Sequence, residues 1–138
     1  MTTSIPSARS VAFDLLAAVL RQKKSLDQAL SENSSLGGLE VRDRGFAHSI
    51  TATTLRRLGQ IDALIDIALD RPISKKAQGA HDLIRLGLTQ LLFLGTPHHA
   101  AVATTVDLAQ ALGHGPHKSL INAILRRFSR EGAELVNN

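Results

Sequence analysis

Apolar residues recur at helical spacing along almost the whole chain, and no stretch alternates with period two for long enough to form a strand. The pattern predicts an all-α protein. Ser7 can cap a first helix that runs to about Lys23 and turns Val11, Leu15, Leu16 and Val19 inward. Ser25 can cap a short second helix, LDQALSEN, which the glycines of SSLGG end. A third begins near Glu40 and runs through RDRGFAHSITATTLRRL. Gly59 marks a break, and QIDALIDIALD continues as a fourth helix until Pro72 stops it.

The fifth helix, from about Ser74 to Leu94, differs from the others. Leu83, Ile84, Leu86, Leu88, Leu91, Leu92 and Phe93 point in nearly every direction around its axis, which places it in the middle of a domain. Gly95 ends it, and TPHHAAVATTVDLAQALG supplies a sixth with Thr96 as cap and Pro97 in the first turn. After the turn GHGP comes HKSLINAILRRFSRE, the seventh. Its Ile121, Ile124, Leu125 and Phe128 form a core face, while Lys118, Asn122, Arg126 and Arg130 fall four apart in a polar stripe. With no internal repeat or linker before the tail GAELVNN, the expectation is one helical domain over residues 1–138 with its core at about 7–131.

Composition narrows the function more than the fold. A chain of 138 residues can bury a real core without staples. The absence of cysteine excludes a disulfide framework, a thiolate zinc site and a cysteine nucleophile. Sixteen Lys and Arg against twelve Asp and Glu suit a polyanionic partner. Four Phe without Tyr or Trp leave little for a base-stacking platform, so recognition by phosphate neutralisation and shape is favoured over single-strand stacking. VAFDLLAAVL is interrupted by Asp14 and lacks a cleavage site, and the run inside Leu86 to Leu94 is too short to span a bilayer. A soluble, cytoplasmic protein is expected.

Candidate chemistry is sparse. His98-His99 and His114-x-x-His117 are the only histidine clusters, and neither has the one-face spacing with a carboxylate that zinc needs, so no metal is expected. Asp62, Asp66 and Asp70 run four apart and read as the solvated face of the fourth helix. No Gly-rich phosphate loop and no nucleophile–base spacing is found, so the chain is not expected to be an enzyme or to hold a cofactor by itself. Basic residues remain, at Arg9, around RQKK, at Arg56-Arg57, at Lys75-Lys76 and along the last helix. Cations at helix C-termini also favour the helix dipole, which gives RQKK and RRFSR a structural explanation beside the functional one.

LIRLGLTQLLFL, TPHHAAVATTVDLAQALG and HKSLINAILRRFSRE, in that order, resemble the NusB-like RNA-binding fold. The resemblance runs from about Ala8 to Glu131 and is strongest from Leu83 onward. Two groups share the fold: the free-standing antitermination factor NusB, and the N-terminal domain of RsmB/Sun-type ribosomal RNA cytosine-5 methyltransferases. ATTLRRLGQIDALIDIALDRP and LINAILRRF are similar to the methyltransferase group. The dense N-terminal arginine cluster of the antiterminator is represented here by Arg9 alone.

The resemblance implies two three-helix bundles around a long central helix. It also implies that the chain is the N-terminal part of a longer methyltransferase, whose S-adenosylmethionine and two catalytic cysteines belong to another domain. A role toward small-subunit ribosomal RNA then falls on Arg9, Lys118, Asn122 and Arg126, to which the stripe adds Arg130; Asn122 is equally open to a structural role between helices. Two other readings stand beside this one. A free-standing antiterminator would bind leader RNA and a ribosomal protein, and a packing module would serve only a catalytic domain in the same polypeptide.

Overall fold

The computed structural model describes the backbone of residues 6–137 and the side chains of residues 6–132. Within them lie seven α-helices: α1 (Ala8–Arg21), α2 (Leu26–Glu32), α3 (Val41–Arg56), α4 (Leu58–Ala68), α5 (Gln78–Leu92), α6 (His98–Ala111) and α7 (Lys118–Asn137). Short 3-10 turns at Leu36–Gly38, Lys75–Ala77 and Gly115–His117 join some of them, and no strand occurs among the described residues.

Local signals set several helix ends. The Ser7 hydroxyl accepts from the Ser10 N–H at 3.1 Å while the Ser10 hydroxyl accepts from the Ser7 N–H at 2.8 Å, a reciprocal cap that starts α1. Ser25 caps α2 by accepting from the Gln28 N–H. α1 stops at Arg21, short of the expected Lys23, because Lys23 takes φ 58°, a left-handed conformation that cannot continue the helix. Gly95 (φ 67°) and Gly113 (φ 84°) supply the same turn after α5 and α6 without a Cβ penalty.

Two expected signals act differently. The third and fourth helices part at Arg57 (φ −105°, ψ 13°), while Gly59 lies inside α4. Thr96 does not cap α6: Pro97 holds the cap position and no side chain bonds there.

α5 is the shared element. It packs on α1 and α3 on one side and on α4, α6 and α7 on the other, so the chain forms two small helical bundles around a common helix. Leu83, Ile84 and Leu88 enter a core with Ile61, Ile65, Ile121, Leu125 and Phe128. Leu86 points the other way, into a cluster with Ala12, Leu16 and Ile50. Burial on both sides explains why α5 is apolar all round. At fifteen residues it spans about 22 Å, and the twenty-residue α7 is the longest helix.

Polar groups inside this core are paired. The Thr54 and Thr89 hydroxyls meet 2.7 Å apart between α3 and α5, and each lies within reach of a carbonyl one turn back in its own helix, so their two hydrogens are shared among three acceptors. Such pairing removes the cost of burying bare hydroxyls. α5 and α7 approach closely at Gly87, where a Cβ would stand 2.7 Å from Leu125 Cδ2. That close approach lets α7 seat its apolar face and turn the opposite face outward.

Candidate nucleic-acid interface

The stripe on α7 is displayed as its spacing predicts. Ile121, Ile124, Leu125 and Phe128 are buried, Lys118, Arg126 and Arg130 are exposed, and Asn122 is half-buried. α6 lies alongside and converts the stripe into one wall of an open groove of ≈ 610 Å³. Asn122, Arg126 and Arg130 line it from α7; His98, His99 and Asp107 line it from α6. Ser129 also borders the groove, but its hydroxyl donates to the Leu125 carbonyl at 2.9 Å and is engaged there.

Lys118 stands outside this lining, one turn before Asn122. Arg127 turns aside and pairs with Glu131 at 2.9 Å, whereas among the described residues neither Lys118 nor Arg126 enters an ion pair. Neither charge is tied up in a contact ion pair, and Asp107 is the one carboxylate among the described residues that lines the groove with Arg126. Arg guanidinium forks match phosphate oxygens, and two arginines one helical turn apart present two such forks along the groove.

Arg9 is not gathered into this groove. Its Nε donates to Gln90 Oε1 at 2.8 Å, and its guanidinium stacks over the Phe46 ring with 5.1 Å to the centroid. Burial lowers its pKa. Arg9 thus pins α1 against α3 and α5, and it also borders a second, smaller groove on the other side of α6, with Ser7, Ser10, Thr104 and Asp107. Asn122 makes no side-chain hydrogen bond among the described residues, so no bridge between helices is formed through it.

The sequence of this helical chain matches one family. The model of the NusB family matches residues 6–130. The chain belongs to the NusB family.

Curated relatives of this NusB-family chain carry the name ribosomal RNA small subunit methyltransferase B. That of Proteus mirabilis (strain HI4320) is 37% identical over 123 residues, which are 89% of this chain and 29% of the relative. Those of Yersinia pseudotuberculosis serotype O:1b (strain IP 31758) and Yersinia pestis bv. Antiqua (strain Angola) are 37% identical over 128 residues, 93% of this chain and again 29% of the relative. The chain spans under a third of the length of these relatives.

In this NusB-family chain the three aspartates do not share one role, and α4 ends at Ala68, short of Asp70 and of the expected stop at Pro72. Asp66 and Asp70 are exposed, but Asp62 accepts two hydrogen bonds from Arg85 of α5, Nε to Oδ1 and Nη2 to Oδ2, both 2.8 Å. His81 Nε2 lies 3.3 Å from the same carboxylate. Partial burial opposes ionisation of Asp62, yet the nearby His81 ring, the hydrogen bonds from Arg85 and the Arg85 charge outweigh it, and the carboxyl is held well below the usual carboxylate range. Arg85 also donates to the fully buried Asp82, which accepts from Arg21 of α1 as well. The solvated-face reading of Asp62 is therefore corrected: the chain Arg21–Asp82–Arg85–Asp62 ties α1, α5 and α4 together.

The groove residues that sequence reasoning passed over are His98, His99 and Asp107. A signal existed, since His99, Ala103 and Asp107 recur every four residues and share one face of α6; which face meets α7 depended on tertiary packing. Among the described residues no three His, Cys, Asp or Glu side chains come together as a metal site. No described helix is long and apolar enough to cross a membrane.

Proposed function

We propose that this chain is the RNA-binding accessory domain of a ribosomal RNA (cytosine-5) methyltransferase, and that the α6–α7 groove engages small-subunit ribosomal RNA. The observation that carries the reading is the outward stripe of Lys118, Asn122, Arg126 and Arg130, three of which line one groove beside α6. Phosphates set along Arg126 and Arg130 would release counterions and position a folded RNA, with Lys118 extending the rail by one turn. Arg9 contributes mainly by holding α1 in place, and only its outer donors reach solvent-facing ligands.

Residues 1–138 act in this reading as one domain, the N-terminal part of a longer cytoplasmic enzyme. S-adenosylmethionine and the catalytic cysteines belong to the remainder of that enzyme, and no residue of this chain is assigned to them. The relatives' name supports the assignment to a methyltransferase over a free-standing antiterminator.

RNA affinity measured against salt tests the reading, with a small-subunit ribosomal RNA hairpin and an unrelated hairpin of equal length. Each phosphate contact contributes roughly 0.7–0.9 to the slope of log affinity against log salt. Reversing Lys118, Arg126 and Arg130 to Glu together should lower the slope by about 2 to 3 while the helical circular dichroism stays intact. Unchanged affinity in the folded triple variant would refute the interface. Capture of a ribosomal protein by the purified chain would shift the assignment to the antiterminator.

A further inference from the structure

The cationic path over this surface is interrupted once. Asp107, exposed on α6, lines the groove that holds Arg126 and Arg130 and also the smaller groove that holds Arg9. It borders both grooves, so a strand laid across the two would pass it. A phosphate placed there would face a carboxylate and be repelled. A base edge that offers N–H donors meets no such repulsion at that point.

A carboxylate is an acceptor only, so the base it favours must offer donors. Guanine alone among the four RNA bases carries two neighbouring N–H donors on its Watson–Crick edge, N1–H and N2–H, which match the two oxygens of one carboxylate. Adenine and cytosine offer one amino group there, and uracil one imino group. Asn122 lines the same groove and carries amide donors suited to the O6 of the same base. At ≈ 610 Å³ the groove has room for an unstacked nucleoside.

We infer that Asp107 reads an unpaired guanine, accepting from N1–H and N2–H while Arg126 and Arg130 hold the flanking phosphates. This specificity rests on the RNA-interface reading of the groove.

The test uses the 138-residue chain and RNA hairpins with a uridine loop, in which a single guanine is placed at each loop position in turn. Each guanine is compared with inosine, which lacks only the N2 amino group. Wild type should bind the best-placed guanine at least about tenfold more tightly than its inosine counterpart, the worth of one hydrogen bond to a charged acceptor. Asp107→Asn should bring that ratio close to one, and it should bind the inosine hairpin more tightly than wild type does because a repulsive charge is gone.

A merely solvated Asp107 would give the same rise for every hairpin and leave the ratio unchanged. That result, or a wild type indifferent to the N2 amino group, overturns the inference. If the R126E/R130E variant still binds these hairpins like wild type, the interface reading fails and this one with it. Cation-dependent binding without guanine preference overturns the Asp107 assignment alone.

Discussion

Asp82 is the only fully buried carboxylate among the described residues, and its replacement tests how the two bundles are held together. It accepts from Arg21 and, at 3.0 Å, from Arg85. Asp82→Asn keeps the side-chain volume and removes the charge, so cavity effects stay small. Removing one partner from a buried ion pair costs about 3–5 kcal/mol when the other charge is stranded. Here the stranding is incomplete. Arg85 retains its fork on Asp62, and Arg21, with 32% of its side chain exposed, can return to water.

The expected loss is therefore about 2–3 kcal/mol, below the stranded range, or a fall in Tm of about 7–10 °C for a domain of this size. Urea titration followed by far-ultraviolet circular dichroism reads the loss directly, because every element is helical. Asp66→Asn on the exposed side of α4 serves as the control and should stay within about 0.5 kcal/mol of wild type. A loss at Asp82 no larger than at Asp66 would refute the view that this buried carboxylate ties α1 to α5.

Two further outcomes follow from the packing and the charges. Gly87→Val should destabilise the fold by about 3 kcal/mol, since even a Cβ at Gly87 stands within 3.0 Å of both Leu125 methyls and Leu125 is fully buried; thermal unfolding of the variant checks this, and an unchanged Tm would mean that α5 and α7 are free to separate. Because Asp62 titrates below its unfolded value of about 3.9, its stabilising contribution is complete above that value and is lost as the pH falls from there through its lower folded value. The stability difference between wild type and Asp62→Asn should accordingly shrink as the pH is lowered from about 5 toward 2, and a difference independent of pH would count against the ion pair.

Much of the helical order was legible in the chain because it is encoded locally. Apolar positions three and four apart specify which face of a helix leaves water, and Ser7, Ser25, Gly95 and Gly113 act on their own neighbours. The all-round apolar character of the fifth helix identified the shared element before any packing was known. The α7 stripe was legible for the same reason, since its exposed charges repeat with the helix. Where the local signal misled, a neighbouring residue took the role: Arg57 made the break expected at Gly59, and Pro97 stood where Thr96 was expected to cap.

What the tertiary structure alone decided was partnership between residues far apart in sequence. Asp62, Asp66 and Asp70 look alike along the chain. From Asp62 to Asp66, however, the helix turns about 40° further around its axis, Asp70 lies beyond its end, and only Asp62 meets Arg85. Arg9, an exposed cation by composition, is drawn in by Gln90, eighty-one residues away, and by the Phe46 ring. The groove itself exists only because α6 lies against α7, which places His98, His99 and Asp107 opposite Arg126 and Arg130. Periodicity assigns a residue to a face of its own helix; the face it meets is set by how several helices share one core, and no short stretch of sequence contains that information.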